Sequence, residues 1–180
     1  MKKLTATMLA SALLGAVAFA QGTINFVNVN SGAGLNAPVF MNDGSTKVGT
    51  TGFTAELFAG ASDTTLASVA TANFIAAGYF NGGTATIASV APGAIASLQV
   101  RVWATASGSY AAANAANVAN TWGQSAIFHV TTGGGGTPPA PPSAMAGMTS
   151  FSLNTAVPEP SSLALAGLGA AAMLVFRRRK

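Results

Sequence analysis

Between Leu98 and Trp103 apolar and polar side chains alternate one by one: Leu98, Val100 and Val102 share one face, and Gln99, Arg101 and Trp103 the other. A period of two marks a half-buried strand and does not fit the 3.6-residue turn of a helix. The same rhythm returns over Thr23 to Val29, Gly52 to Phe58, Thr84 to Val90 and Ser125 to Thr131. In the last of these Ala126, Phe128 and Val130 alternate with Ile127 and His129. Turn formers punctuate the segments. Asn42-Asp43-Gly44 and Asn81-Gly82-Gly83 read as hairpins, and Ala91-Pro92-Gly93 as a third turn. The pattern predicts a mostly β fold, an antiparallel β-sandwich of jelly-roll or Ig-like type, with a barrel as the alternative closure. The alanine-rich stretch from Tyr110 to Ala119 predicts one short surface helix, weakened by its asparagines.

Charge is the second constraint. Only 7% of the residues are charged, against roughly 25% in an ordinary soluble domain. Lys2, Lys3, Arg177, Arg178, Arg179 and Lys180 lie at the extremes of the chain. Between residues 21 and 157, Lys47 and Arg101 face Asp43, Glu56 and Asp63, leaving one net negative charge. Such a body has no basic patch for phosphates, so nucleic acid is not among its expected partners. The chain has no cysteine, which removes disulfides, thiol catalysis and thiolate metal sites.

The cations flank two apolar ends. Lys2 and Lys3 precede an apolar run from Met8 to Ala20, with the small residues Ala18 and Ala20 just ahead of Gln21. This is the order of a secretory signal peptide over residues 1–20, cleaved by signal peptidase after Ala20. At the other end the fourteen residues Leu163 to Phe176 carry no polar side chain and run directly into Arg177, Arg178, Arg179 and Lys180. As a helix they reach roughly 21 Å against a hydrocarbon core of roughly 30 Å. Extension back to Ser161 and snorkelling arginines bring that transmembrane helix close to sufficient length. A basic tail stays on the cytoplasmic side, which leaves the body of the chain outside it. Val157-Pro158-Glu159-Pro160-Ser161-Ser162 lies between body and helix, and its prolines impose an extended backbone around Glu159.

A Val-Pro-Glu-Pro-Ser motif, a short Gly/Ala/Leu helix and an arginine-rich end, in that order, closely resemble the PEP-CTERM sorting signal of exported bacterial proteins. The resemblance implies that the chain is a substrate of exosortase, a membrane-embedded cysteine transpeptidase. It also implies transient retention in the inner membrane, removal of the helix near the motif and delivery to the cell surface or an extracellular polysaccharide matrix. The sorting residues would be Val157, Pro158, Glu159, Pro160 and Ser161, with Arg177, Arg178, Arg179 and Lys180 as the basic stop-transfer tail. The catalytic residues belong to the exosortase. Accordingly the chain divides into a signal peptide (1–20), a secreted β domain (21–154) and a sorting region (155–180). The Gly/Pro-rich run 133–143 reads as a long surface loop of the domain, because Phe151 and Leu153 resume a strand-like pattern after it.

For the domain itself the sequence points away from catalysis. His129 stands alone, Asp43, Glu56 and Asp63 are scattered, and no cofactor or metal ligand set is spaced for binding. The Gly-rich run lacks the Lys-Ser/Thr ending of a phosphate loop. Trp103, Trp122, Tyr79 and Tyr110 are amphipathic aromatics that form a candidate platform for sugar rings if they share an exposed face. The expectation is a structural or adhesive surface protein. A carbohydrate-binding module for extracellular polysaccharide is the alternative, with a secreted hydrolase third.

Overall fold

The structure, a computed structural model, describes residues 21–155. The signal stretch 1–20 and residues 156–180, with the helix expected over 163–176, lie outside the described residues. Among the described residues no helix is long and apolar enough to cross a membrane.

The described chain is mostly strand. Its elements are β1 (Gly22–Val27), β2 (Val29–Asn30), β3 (Leu35–Asn36), β4 (Val39–Phe40), β5 (Phe53–Gly60), β6 (Ala67–Ala76), β7 (Tyr79–Ile87), β8 (Ile95–Ala104), α1 (Tyr110–Ala116), β9 (Trp122–Gln124), β10 (Phe128–Thr131), β11 (Ser143–Ala144) and β12 (Phe151–Ser152). One large sheet runs in the order β10-β8-β5-β6-β7-β1-β11, with β9 also on β8. The expected all-antiparallel arrangement is corrected to a mixed one, because β11 runs parallel to β1 and β12 parallel to β4. Neither pairing has a local signal, since in each case the partner returns from more than a hundred residues away.

β8 organises the ladder. It pairs with β5 from Phe53↔Ala104 to Gly60↔Ser97, while β10 and β9 share its other edge in succession. Between those two, Ser125 keeps contact with β8: its N–H donates to Val100 O and its Oγ accepts from Val100 N. Leu98, Val100 and Val102 face a single apolar core with Ile24, Phe26, Leu57, Phe80 and Ile87. The β10 end of the ladder also meets β1. Gly133, just beyond β10, exchanges both backbone hydrogen bonds with Thr23 of β1 at 3.1 and 2.8 Å. Glycine is required here by the loop that follows, since a Cβ at Gly133 would lie 2.0 Å from Pro141 O. After this contact residues 134–142 swing out, and β11 returns to β1 at Ile24↔Ser143.

Asn81-Gly82-Gly83 is not the expected hairpin turn. It lies inside β7, where the register steps from Asn25↔Thr84 to Val27↔Asn81 and leaves one extra residue on β7. This is a β-bulge, with Gly83 at φ +69° and its N–H donated to Asn81 Oδ1. The reversal into β7 falls earlier, between Ala76 and Tyr79.

Asn28 is fully buried and joins segments that the ladder does not reach. Its Nδ2 donates to Ala37 O (2.9 Å) and Gly78 O (2.8 Å), and its Oδ1 accepts from Phe80 N (2.9 Å). Its own carbonyl accepts from Ala37 N. One side chain thereby fixes β1 to the β3–β4 link and to the turn into β7.

Asn28→Ala should lower unfolding free energy by about 3 kcal/mol or more, because three buried backbone groups lose a partner. Asn28→Asp should do no better, since an ionised carboxylate cannot donate to the two carbonyls. Denaturant titration of both variants checks this. Gly82→Ala places a Cβ 2.4 Å from the buried Phe26 ring and should cost about 1–3 kcal/mol by overpacking. Gly49→Ala, with only Thr51 O at 3.9 Å, should stay within about 0.5 kcal/mol.

Candidate functional site

The alternation of β5 and β8 sends Thr54, Glu56 and Phe58 to the face opposite the core, directly across from Trp103, Arg101 and Gln99. β9 extends that face with Trp122 opposite Trp103 and Gln124 opposite Arg101. α1 packs against β8 and β9. It starts here because Ser109, in extended conformation, caps Ala112 N with its hydroxyl, and it ends at Asn117 in the left-handed region.

Arg101 is the centre of this face. Its guanidinium carbon lies 3.8 Å from the Phe58 ring centroid and 5.1 Å from that of Tyr110, and its Nε donates to Gln99 Oε1 at 2.9 Å. Tyr110 stands edge-on to Trp122 at 5.8 Å and donates its hydroxyl to Gln124 Oε1. Burial pushes the Tyr110 phenol up, against the opposing pull of the Arg101 cation. Glu56, across from Arg101, accepts a hydrogen bond from the Ser68 hydroxyl.

The four aromatics proposed as a platform are therefore not one row. Trp103, Trp122 and Tyr110 come together around α1, but Trp103 is only 7% exposed. Its place on the more polar face of β8 did not expose it: Trp122 of β9 lies across from it, and α1 packs against both strands. Tyr79 opens β7, three strands along the ladder. There its hydroxyl donates to Asn36 Oδ1 at 2.9 Å, and Lys47 Nζ sits 4.7 Å from its ring centroid.

Around His129 the geometry is equally specific. Asp63 Oδ1 lies 2.8 Å from His129 Nε2 and accepts from Ser97 Oγ at 2.7 Å. Ser97 is buried, and its hydroxyl points to the carboxylate rather than to the imidazole. Nucleophilic catalysis needs the base against the nucleophile, and here Asp63 takes the position between them. Asp43 serves its own turn: Oδ1 accepts from Ser45 N and Thr46 N, and Oδ2 from Thr46 Oγ1. Among the described residues no three His, Cys, Asp or Glu side chains gather to hold a metal ion.

The remaining site residues concern the ends. Ala18, Ala20, Val157, Pro158, Glu159, Pro160, Ser161, Arg177, Arg178, Arg179 and Lys180 lie outside the described residues, while Gln21 is exposed just ahead of β1. What the structure does show is how the chain approaches the sorting region. β12 pairs with β4 at Phe151↔Val39 and Ser152↔Phe40, and Leu153 is buried with its N–H on Phe40 O. Asn154 then reaches the other way, to β9. Its N–H donates to Trp122 O (2.7 Å), and its Oδ1 accepts from Thr121 N and Trp122 N (both 3.2 Å). The sequence gives no sign of this attachment beyond an asparagine following the Phe151 and Leu153 pair.

The carboxylates set an acid limit. Asp43 is lowered from 3.8 to about 2, first by the Thr46 hydroxyl and then by the Ser45 and Thr46 amides. Asp63 is lowered by the Ser97 hydroxyl and then by His129. A carboxylate held down in the folded state stabilises it above the unfolded pKa, and that contribution is lost as pH falls through the folded one. The urea midpoint should therefore drop as pH is lowered from about 4 toward 2, and the double variant Asp43→Asn, Asp63→Asn should flatten that slope.

Comparison with known proteins adds one finding. The family model described as the PEP-CTERM protein-sorting motif matches residues 156–180. No curated protein and no solved structure matches the chain. The match starts immediately after Thr155, the last described residue of the β domain. In carrying that motif behind a folded β domain, the chain is consistent with a PEP-CTERM domain-containing protein.

Proposed function

We propose that this is an exported protein whose β domain, residues 21–154, is handed by exosortase to the cell surface or the extracellular matrix and serves there as a structural or adhesive unit. The sorting motif at residues 156–180 carries the proposal. That motif implies export, a membrane-anchoring C-terminal signal and processing by exosortase. The signal-peptide order at residues 1–20 supports the same route, with signal peptidase cutting after Ala20.

Features of the domain support a structural role. In the sandwich reading the ladder folds over its one core, so that β1 and β7 lie across from β5, β8 and β10. Joining β10 to β1 through Gly133 and Thr23 reduces the open edge that would otherwise recruit foreign strands. The carbohydrate-binding alternative has less support. Tyr110 is engaged by Arg101 and Trp122, Trp103 is covered, and Tyr79 stands apart. His129 with a carboxylate beside it is the arrangement that favours the hydrolase reading, but this pair with Asp63 lies at the surface with both side chains about half exposed, and the Ser97 hydroxyl is bonded to Asp63 and not to the imidazole.

Mass spectrometry of the native exported protein tests the proposal. The expected mature chain begins at Gln21 and ends near Pro160. An extracellular chain that still carries Arg177 to Lys180 would contradict it.

A further inference from the structure

The last residues of the β domain are firmly attached at two places. Phe151, Ser152 and Leu153 are bound to β4, with Leu153 in the core, and Asn154 is bound to β9. In addition to its own N–H and the two bonds to Oδ1, the Asn154 carbonyl accepts from Asn120 N at 3.0 Å. Gly123 leaves room for this crossing, since a Cβ there would lie 2.9 Å from Ser152 O. The Asn154 Nδ2 is buried without an acceptor. All of the clamp's side-chain contribution therefore passes through the oxygen.

The sorting motif follows at once. From Asn154 to Pro158 is four residue steps, at most about 14 Å of extended chain. A domain of this length has a radius of gyration of about 14 Å. While the clamp is closed, only those four steps of chain separate Asn154 from the first proline of the motif. A membrane-embedded enzyme that draws an extended segment into its groove meets the folded body within a few residues upstream of Glu159.

We infer that Asn154 is a positioning residue for sorting: its clamp on β9 limits how much extended chain exosortase engages, so that opening of the 151–154 segment precedes processing. The inference rests on the exosortase reading of residues 156–180. Its chemistry requires nothing beyond hydrogen bonds. Removing the Asn154 oxygen deletes two bonds from Thr121 N and Trp122 N, which raises local opening by about tenfold. Asn154→Asp keeps an acceptor for both amides and exchanges the idle Nδ2 for a second carboxylate oxygen.

The test is a pulse-chase of the full chain in an exporting bacterium with exosortase, following conversion of precursor to the shortened form. Asn154→Ala should speed conversion several-fold, and Asn154→Asp should restore the rate of the unaltered chain. A six-residue Gly/Ser spacer between Thr155 and Ala156 leaves every contact of the domain in place. It should speed conversion as well, and should make Asn154→Ala silent when combined with it. Silence behind the spacer separates positioning from loss of stability, which the spacer would not cure, and rescue by Asp assigns the effect to the acceptor oxygen. Equal rates for all forms, or slower conversion with the spacer, would overturn the clamp while leaving sorting intact. No conversion of any form, spacer included, would overturn both.

Discussion

Asn28 carries four hydrogen bonds in complete burial, linking the end of β1 to the β3–β4 connection, to the turn into β7 and to β7 itself. The ladder explains most of the backbone satisfaction in this domain, but a sheet that meets itself leaves gaps where neighbouring segments run out of register. An unpaired buried carbonyl or amide costs about as much as a lost hydrogen bond. At such a gap a short side chain with both donor and acceptor is required, and asparagine supplies them without charge. With so few ionised groups inside the chain, this neutral joint holds what ion pairs hold elsewhere. The one ion pair of the described residues, His129 with Asp63, lies at the surface with both side chains about half exposed, where it contributes little.

The sequence was readable where structure is local. The alternation of β8, β5 and β10 matched their buried faces, since Leu98, Val100, Val102, Leu57, Phe128 and Val130 all enter the core. Asp43 formed its turn, and the helix beginning at Tyr110 had a serine cap ahead of it. Failures came from two sources. Asn81-Gly82-Gly83 has the same chemistry in a bulge as in a hairpin, an asparagine oxygen on an amide and a glycine at positive φ, so composition alone does not separate them. β6, Ala67–Ala76, passed unnoticed because small residues blur its alternation.

Long-range placement was the other obstacle. Nothing near Ser143 announces a parallel partner at Ile24, and nothing near Trp103 announces that β9 will pair beside it and α1 pack against both strands. For this reason the four aromatics named from the sequence do not share one exposed face. Arg101 instead became the centre of the outer face, stacked on Phe58 and Tyr110, although strand alternation had already placed it on that face. Arginine over aromatic rings shields them from water while keeping its charge solvated.

Domain and tail meet at residues 151–155, and this junction connects fold to destination. The β domain is bound to its own last strand up to Asn154, and the PEP-CTERM motif takes over at residue 156. The account stands on the claim that this tail, and not the domain, decides where the protein goes. Fractionation of the exporting bacterium with and without exosortase measures it most directly. The account predicts a full-length precursor held in the membrane fraction when the enzyme is missing and a shortened chain at the surface when it is present. A chain of one size in one fraction under both conditions would contradict it.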